Sequence, residues 1–147
     1  IMPPMSAEST VSRTYLDWAK RNMLLNGFAG AEHGFVQADC LKWLAEQQEQ
    51  RRKPYDLIFI DPPTHSRSKR MEEDFDVQRD HVQLIRLASG LLADDGTMLF
   101  SNNYTRFRID TDALSATFRI EDITADTLPR DFARNRRIHH AFLLRRQ

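Results

Sequence analysis

The chain has 147 residues, 41% hydrophobic and 29% charged, which predicts one globular domain with a substantial core. Its 21 basic and 21 acidic side chains cancel, so net charge does not announce a nucleic-acid binder, and no apolar run approaches a membrane span. The single cysteine, Cys40, excludes an internal disulfide and suits a reducing, cytoplasmic compartment.

Residues 1–11 show no apolar periodicity and are expected to be irregular, with one domain over 12–147. Pro3 and Pro4 without a basic start do not make a secretory signal. A helix is expected from Ser12, where Thr14 and Asp17 form a start like a capping box and Tyr15, Trp18 or Ala19, and Asn22 to Leu25 recur at helical spacing. Asn26-Gly27 ends it, because both residues tolerate the left-handed conformation. Phe35-Val36 predicts a short strand running to Asp39. Asp39 then caps a helix from Cys40 to Gln50, with Leu41, Leu44 and Ala45 on one face. Trp18 and Trp43 are expected in the core.

Tyr55 to Asp61 is the clearest strand, and its unbroken apolar run is that of a strand buried on both faces. Val77 to Ala93 reads as a helix, with Val82, Ile85, Ala88 or Ser89, and Leu92 recurring every three or four residues. Asp94-Asp95-Gly96 predicts a turn into a second buried strand, Thr97 to Ser101. A short helix near Asp112 to Ala116 and strands near Phe118 to Ile123 and Ile138 to Leu144 follow. Alternating helices and strands predict an α/β fold with a mostly parallel sheet, and the two closely spaced last strands predict an antiparallel edge strand. Ligands of such sheets sit at the carboxyl ends of strands. That directs attention to Gln37 to Cys40, Asp61 to Thr64, and Ser101 to Tyr104, each polar after an apolar run.

Asp61-Pro62-Pro63 is the sharpest motif. Proline fixes its backbone and removes its donor, so this segment cannot continue a ladder. Its free carbonyls, beside a carboxylate at a strand end, suit the N–H groups of a planar base; a rigid turn is the alternative. Asn102-Asn103 is read either as a base or cofactor contact or as a turn. Cys40 is expected to be a packed small residue rather than a nucleophile. His33, His65 and His81 are too scattered for a metal motif, and His139-His140 point to opposite faces of a strand, so no metal site is expected.

Long stretches resemble class I S-adenosylmethionine-dependent methyltransferases. They are Ser12 to Ala19, Gln37 to Cys40, Asp56 to Thr64, Ser68 to Met71, Phe75 to His81, Phe100 to Asn103, and Asp131 to Arg136. The resemblance is strongest to the guanine-N7 methyltransferase part of bifunctional bacterial large-subunit ribosomal RNA methyltransferases. It implies a Rossmann-like fold, S-adenosylmethionine as cofactor and large-subunit ribosomal RNA as partner. It implies that Asp39 and the Cys40 backbone contact the adenine of the donor. It also implies that Asp61, Pro62 and Pro63 lie beside the sulfonium and the target base. His65 departs from the aromatic residue usual in the family, although an imidazole can still stack on a base. Thr64, His65, Arg67, Lys69, Arg70, Asn102, Asn103, Arg134 and Arg136 are the expected RNA contacts, the basic ones on phosphates.

The front of the family pattern is absent. A glycine-rich loop and a strand ending in a ribose-binding acid should precede the Ser-Arg-Thr-Tyr segment, but residues 1–11 contain no glycine and Glu8 is out of context. Either the chain is a fragment lacking N-terminal strands or those residues lie outside this sequence; a true fragment would expose apolar edges that favour a homo-oligomer or a strand-exchanged dimer. Two other functions stay open: methylation of an exocyclic amine such as guanine N2, and a non-catalytic RNA-binding module that has lost donor binding.

Overall fold

The computed structural model describes residues 6–10, 13–28, 30, 33–49, 55–66, 74–132 and 134–147. They fall into two compact units, divided near residue 54.

In the first unit β1 (Ser6–Thr10) pairs in parallel with β2 (His33–Gln37), from Ser6↔His33 to Thr10↔Gln37. The segment expected to be irregular thus contains a strand. Its ladder is supplied by a distant partner, so its own sequence carries no apolar signature. Between the two strands runs α1 (Arg13–Leu25). Gly27 ends this helix at φ 83°, and the Phe28 N–H reaches back to the Met23 carbonyl at 2.9 Å, the closure expected of a glycine C-cap. Leu16 is the buried residue of α1. Trp18 is 57% exposed and Trp43 only half-buried, which corrects the expectation that both are core. Helical spacing shows which residues share a face, not what covers it. The helix α2 (Cys40–Glu49) buries Leu44 and Gln47.

The second unit holds a four-stranded sheet in the order β3 (Tyr55–Ile60), β6 (Leu92–Asn102), β8 (His140–Arg146), β7 (Phe118–Asp122). A short bridge joins β4 (His65–Ser66) to β5 (Phe75–Asp76), which leads directly into α3 (Val77–Ser89). The strands β3 and β6 are parallel. An antiparallel strand is present as expected, but it is β8, lodged between β6 and β7 and not at the edge, so this sheet has one parallel and two antiparallel pairings. Of its two remaining helices, α4 (Thr111–Leu114) and α5 (Thr124–Thr127), the second was not foreseen. No described helix is long and apolar enough to cross a membrane.

The helix α3 stops earlier than expected, and Leu92 begins β6 instead of closing an apolar stripe. Asp94-Asp95-Gly96 lies within β6 as a bulge: Tyr55 pairs with Leu92, but Leu57 already pairs with Thr97. A Cβ on Gly96 would sit 2.8 Å from Leu92 Cδ1 and 3.0 Å from the Ala93 carbonyl, so only glycine fits the bulge without a shift. Leu57 and Phe59 are 65% and 61% exposed. They correct the expectation of a strand buried on both faces: alternate residues share a face, and the face that carries Leu57 and Phe59 is exposed.

The core of this unit lies between α3 and the sheet. Val77, Ile85, Met98, Phe100, Leu114 and Leu144 are fully buried there. His81 is buried among them with both nitrogens engaged. Nδ1 lies 3.1 and 2.9 Å from the Val77 and Gln78 carbonyls, and Nε2 accepts the Asp110 N–H at 3.0 Å. Its ring meets Phe107 edge-on at 5.0 Å. One imidazole thereby ties α3 to the residue that caps α4, at no cost in unsatisfied polar atoms.

His140 is held neutral. Burial lowers its pKa from the ordinary 6.5, against the opposing Asp122 charge and with a smaller contribution from His139. A depressed imidazole pKa means the unfolded chain binds the proton more tightly. The stability linked to neutral His140 is complete above pH 6.5 and is lost as pH falls through the lowered folded value. Thermal melts of wild type and His140→Gln between pH 8 and pH 5 should show a shallower acid loss in the variant; parallel curves would rule this out.

Candidate active site

The Asp61 to Thr64 corner is held at both ends. Leu57 to Ile60 pair residue by residue with Thr97 to Phe100, so Asp61 and Ser101 both stand one step beyond the last paired rung. The Ser101 hydroxyl donates to Asp61 Oδ1 at 2.7 Å. At the far end the Thr64 carbonyl accepts the Val77 N–H at 3.0 Å, at the start of α3. His65 Nδ1 lies 3.0 Å from Asp76 Oδ2, while Asp76 Oδ1 caps α3 by accepting the Arg79 N–H. The two prolines therefore sit in a rigid link between β3 and α3. Asp61 and Pro63 are exposed, and Pro62 and Thr64 are half-buried.

Tyr104 adds an aromatic ring that the sequence did not single out, 6.4 Å from the His65 ring and tilted by 59°. Asn102 is fully buried, and its Oδ1 accepts the Tyr104 N–H at 3.0 Å. Its Nδ2 is buried with no hydrogen-bond partner among the described residues, so the turn satisfies one end of the amide only. Asn103 and His65 are exposed, as is Arg134. Arg67, Lys69 and Arg70 lie outside the described residues, as does the side chain of Arg136. Among the described residues no three His, Cys, Asp or Glu side chains converge as metal ligands.

In the other unit, Asp39 closes the β2–α2 turn as expected. Its Oδ1 accepts the Leu41 and Lys42 N–H groups at 3.0 and 3.3 Å, so the carboxylate is fixed at a strand end by a helix N-terminus. Cys40 is exposed, not the packed residue expected. Crowding of its sulfur, and next the Asp39 charge, push the thiol up from 9.0 to about 11. Of these causes the Asp39 charge is the firmer, since an exposed residue keeps much of its water. A protonated thiol is a poor nucleophile. Iodoacetamide at pH 8 should modify Cys40 roughly 10-fold or more slowly than an ordinary thiol, and Asp39→Asn should speed the reaction. Rapid modification of the wild type would contradict this.

No family model matches the chain. Ribosomal RNA large subunit methyltransferase K/L of Vibrio cholerae is 54% identical over 138 residues, 93% of this chain and 19% of that protein. The protein of the same name from Allochromatium vinosum is 54% identical over 134 residues, 91% and 18% of the two lengths. The chain thus spans about a fifth of the length of the curated relatives it matches. Among solved structures, a SAM-dependent methyltransferase from Agrobacterium tumefaciens shares the fold at a TM-score of 0.68 and 14% identity. That match covers 96% of this chain and 48% of the other. A candidate methyltransferase in complex with SAH gives 0.75 at 20% identity, covering 94% and 38%. The α/β pattern is therefore the Rossmann-like fold of S-adenosylmethionine-dependent methyltransferases, and nearly the whole chain is homologous to one segment of ribosomal RNA large subunit methyltransferase K/L.

Proposed function

We propose that residues 12–147 are the C-terminal part of a methyltransferase catalytic domain that methylates guanine N7 in large-subunit ribosomal RNA, in the cytoplasm. The observation that carries this proposal is the Asp61-Pro62-Pro63 corner, an exposed carboxylate and donor-free backbone anchored to both β6 and α3. The 54% identity over 93% of the chain supports the ribosomal RNA substrate.

S-adenosylmethionine, when bound, supplies the electrophilic methyl group. Asp39 fits its adenine, because a carboxylate fixed by helix N–H groups still has lone pairs for an exocyclic amine. Asp61 and the Pro62 carbonyl hold the N–H groups on the edge of the guanine. Guanine N7 carries a lone pair and no proton, so its attack needs no general base. The work of the chain's own residues is then positioning and exclusion of water. The imidazole of His65 gives the base a stacking surface, and Thr64, Asn103, Arg134 and Arg136, with Arg67, Lys69 and Arg70, hold the RNA around it.

In the complete enzyme, Asp61→Ala should abolish methylation, read as loss of 7-methylguanosine by nucleoside mass spectrometry of treated ribosomal RNA. Turnover near wild type would reject the corner as the site. N2-methylguanosine from the wild type would move the target to the exocyclic amine. Phosphate contacts predict RNA affinity that falls steeply with salt, and Arg134→Ala should flatten the log–log slope by about 0.7–0.9. Binding indifferent to ionic strength would count against the basic residues.

A further inference from the structure

We propose that Ser101 is a positioning residue for methyl transfer, setting the Asp61 carboxylate for the target base; this rests on the function proposed above for Asp61. An aspartate at a turn ordinarily orients itself on the backbone N–H two residues ahead. Here residues 62 and 63 are both proline, so neither of the next two residues has an N–H to give. The missing donor comes from another strand, as the Ser101 hydroxyl 2.7 Å from Oδ1.

Three features make that hydroxyl a fixed donor. Ser101 is only 5% exposed, and a buried hydroxyl is costly to leave unpaired. Its backbone pairs with Ala141 of β8, so it cannot drift with the corner. The pairing Ile60↔Phe100 brings the two residues to adjacent strands at equal depth, where side chains share a face. A hydroxyl bonded to a carboxylate is charge-assisted and short. It restrains the side-chain rotation of Asp61 while leaving further lone pairs for a base N–H. Ser101 touches no reacting atom in this scheme and acts through Asp61.

The test is steady-state methylation of ribosomal RNA by the complete enzyme with Ser101→Ala and Ser101→Thr, each checked for folding by circular dichroism. Ser101→Ala should lower kcat roughly 10- to 100-fold, the scale of a misplaced reacting group, with a much smaller rise in KM for RNA. Ser101→Thr keeps the hydroxyl and should recover most of kcat. A folded Ser101→Ala enzyme with wild-type kcat, or a folded Ser101→Thr no better than alanine, overturns the inference. Asp61→Ala run alongside separates the two failures. An inactive Asp61→Ala with a normal Ser101→Ala removes only the role of Ser101, whereas an active Asp61→Ala removes the proposed function of the corner itself.

Discussion

The parallel pairing of β3 with β6 is the constraint on which the rest of the second unit depends. From Leu57↔Thr97 to Ile60↔Phe100 the register is continuous, and a slip of one residue would reverse the face of every side chain. The bulge at 93–96 precedes that register, and Gly96 sits in it with Leu92 and the Ala93 carbonyl closer than a Cβ would accept without a shift. At the carboxyl end Asp61 stands just past β3, Ser101 is still paired with Ala141 within β6, and the two side chains meet.

An aromatic layer joins elements of the same unit. His81, Phe100 and Phe107 meet within 5.0–6.4 Å of one another, and Phe107 also meets Phe142 and His140. Contacts of this kind add about 0.5–1.5 kcal/mol beyond area burial, and here they join α3, β6 and β8. The helix is fixed at its start as well, since Asp76 caps it and Asp80 accepts the Asp76 N–H. The Arg79 guanidinium hydrogen-bonded to Asp80 holds that carboxyl below its usual range.

Local chemistry made much of this legible in the sequence. Asp39 as a cap, Gly27 as a helix stop and the Asp-Pro-Pro corner are each set by residues within a few positions, and each stands where the pattern put it. Features that depend on distant partners were not legible. The apolar run of β3 was correctly a strand, yet Leu57 and Phe59 are exposed, because burial belongs to the neighbours and not to the run. Trp18 misled for the same reason. Ser6–Thr10 gave no apolar signal because its order comes from β2. Ser101 and Asp61 lie 40 positions apart, and no spacing rule joins them until the register of two strands is known.

The choice of a neutral hydroxyl as the partner of Asp61 bears on what the corner can recognise. An arginine or lysine at the same place would take up the carboxylate through a bidentate or full-charge contact and leave little for a ligand. A single hydroxyl fixes orientation, occupies one acceptor direction and adds no charge, so the negative charge of Asp61 stays available at an exposed strand end. For a base presenting N–H donors that is the useful state, and the two prolines reinforce it by removing the backbone donors that would otherwise compete. Asp39 is bound the opposite way, by backbone N–H groups of a helix start. The two carboxylates thus differ in how they are held, although each stands at the end of a strand. That difference in support is consistent with the different roles proposed for them, one closing a turn beside a cofactor moiety and the other meeting the substrate.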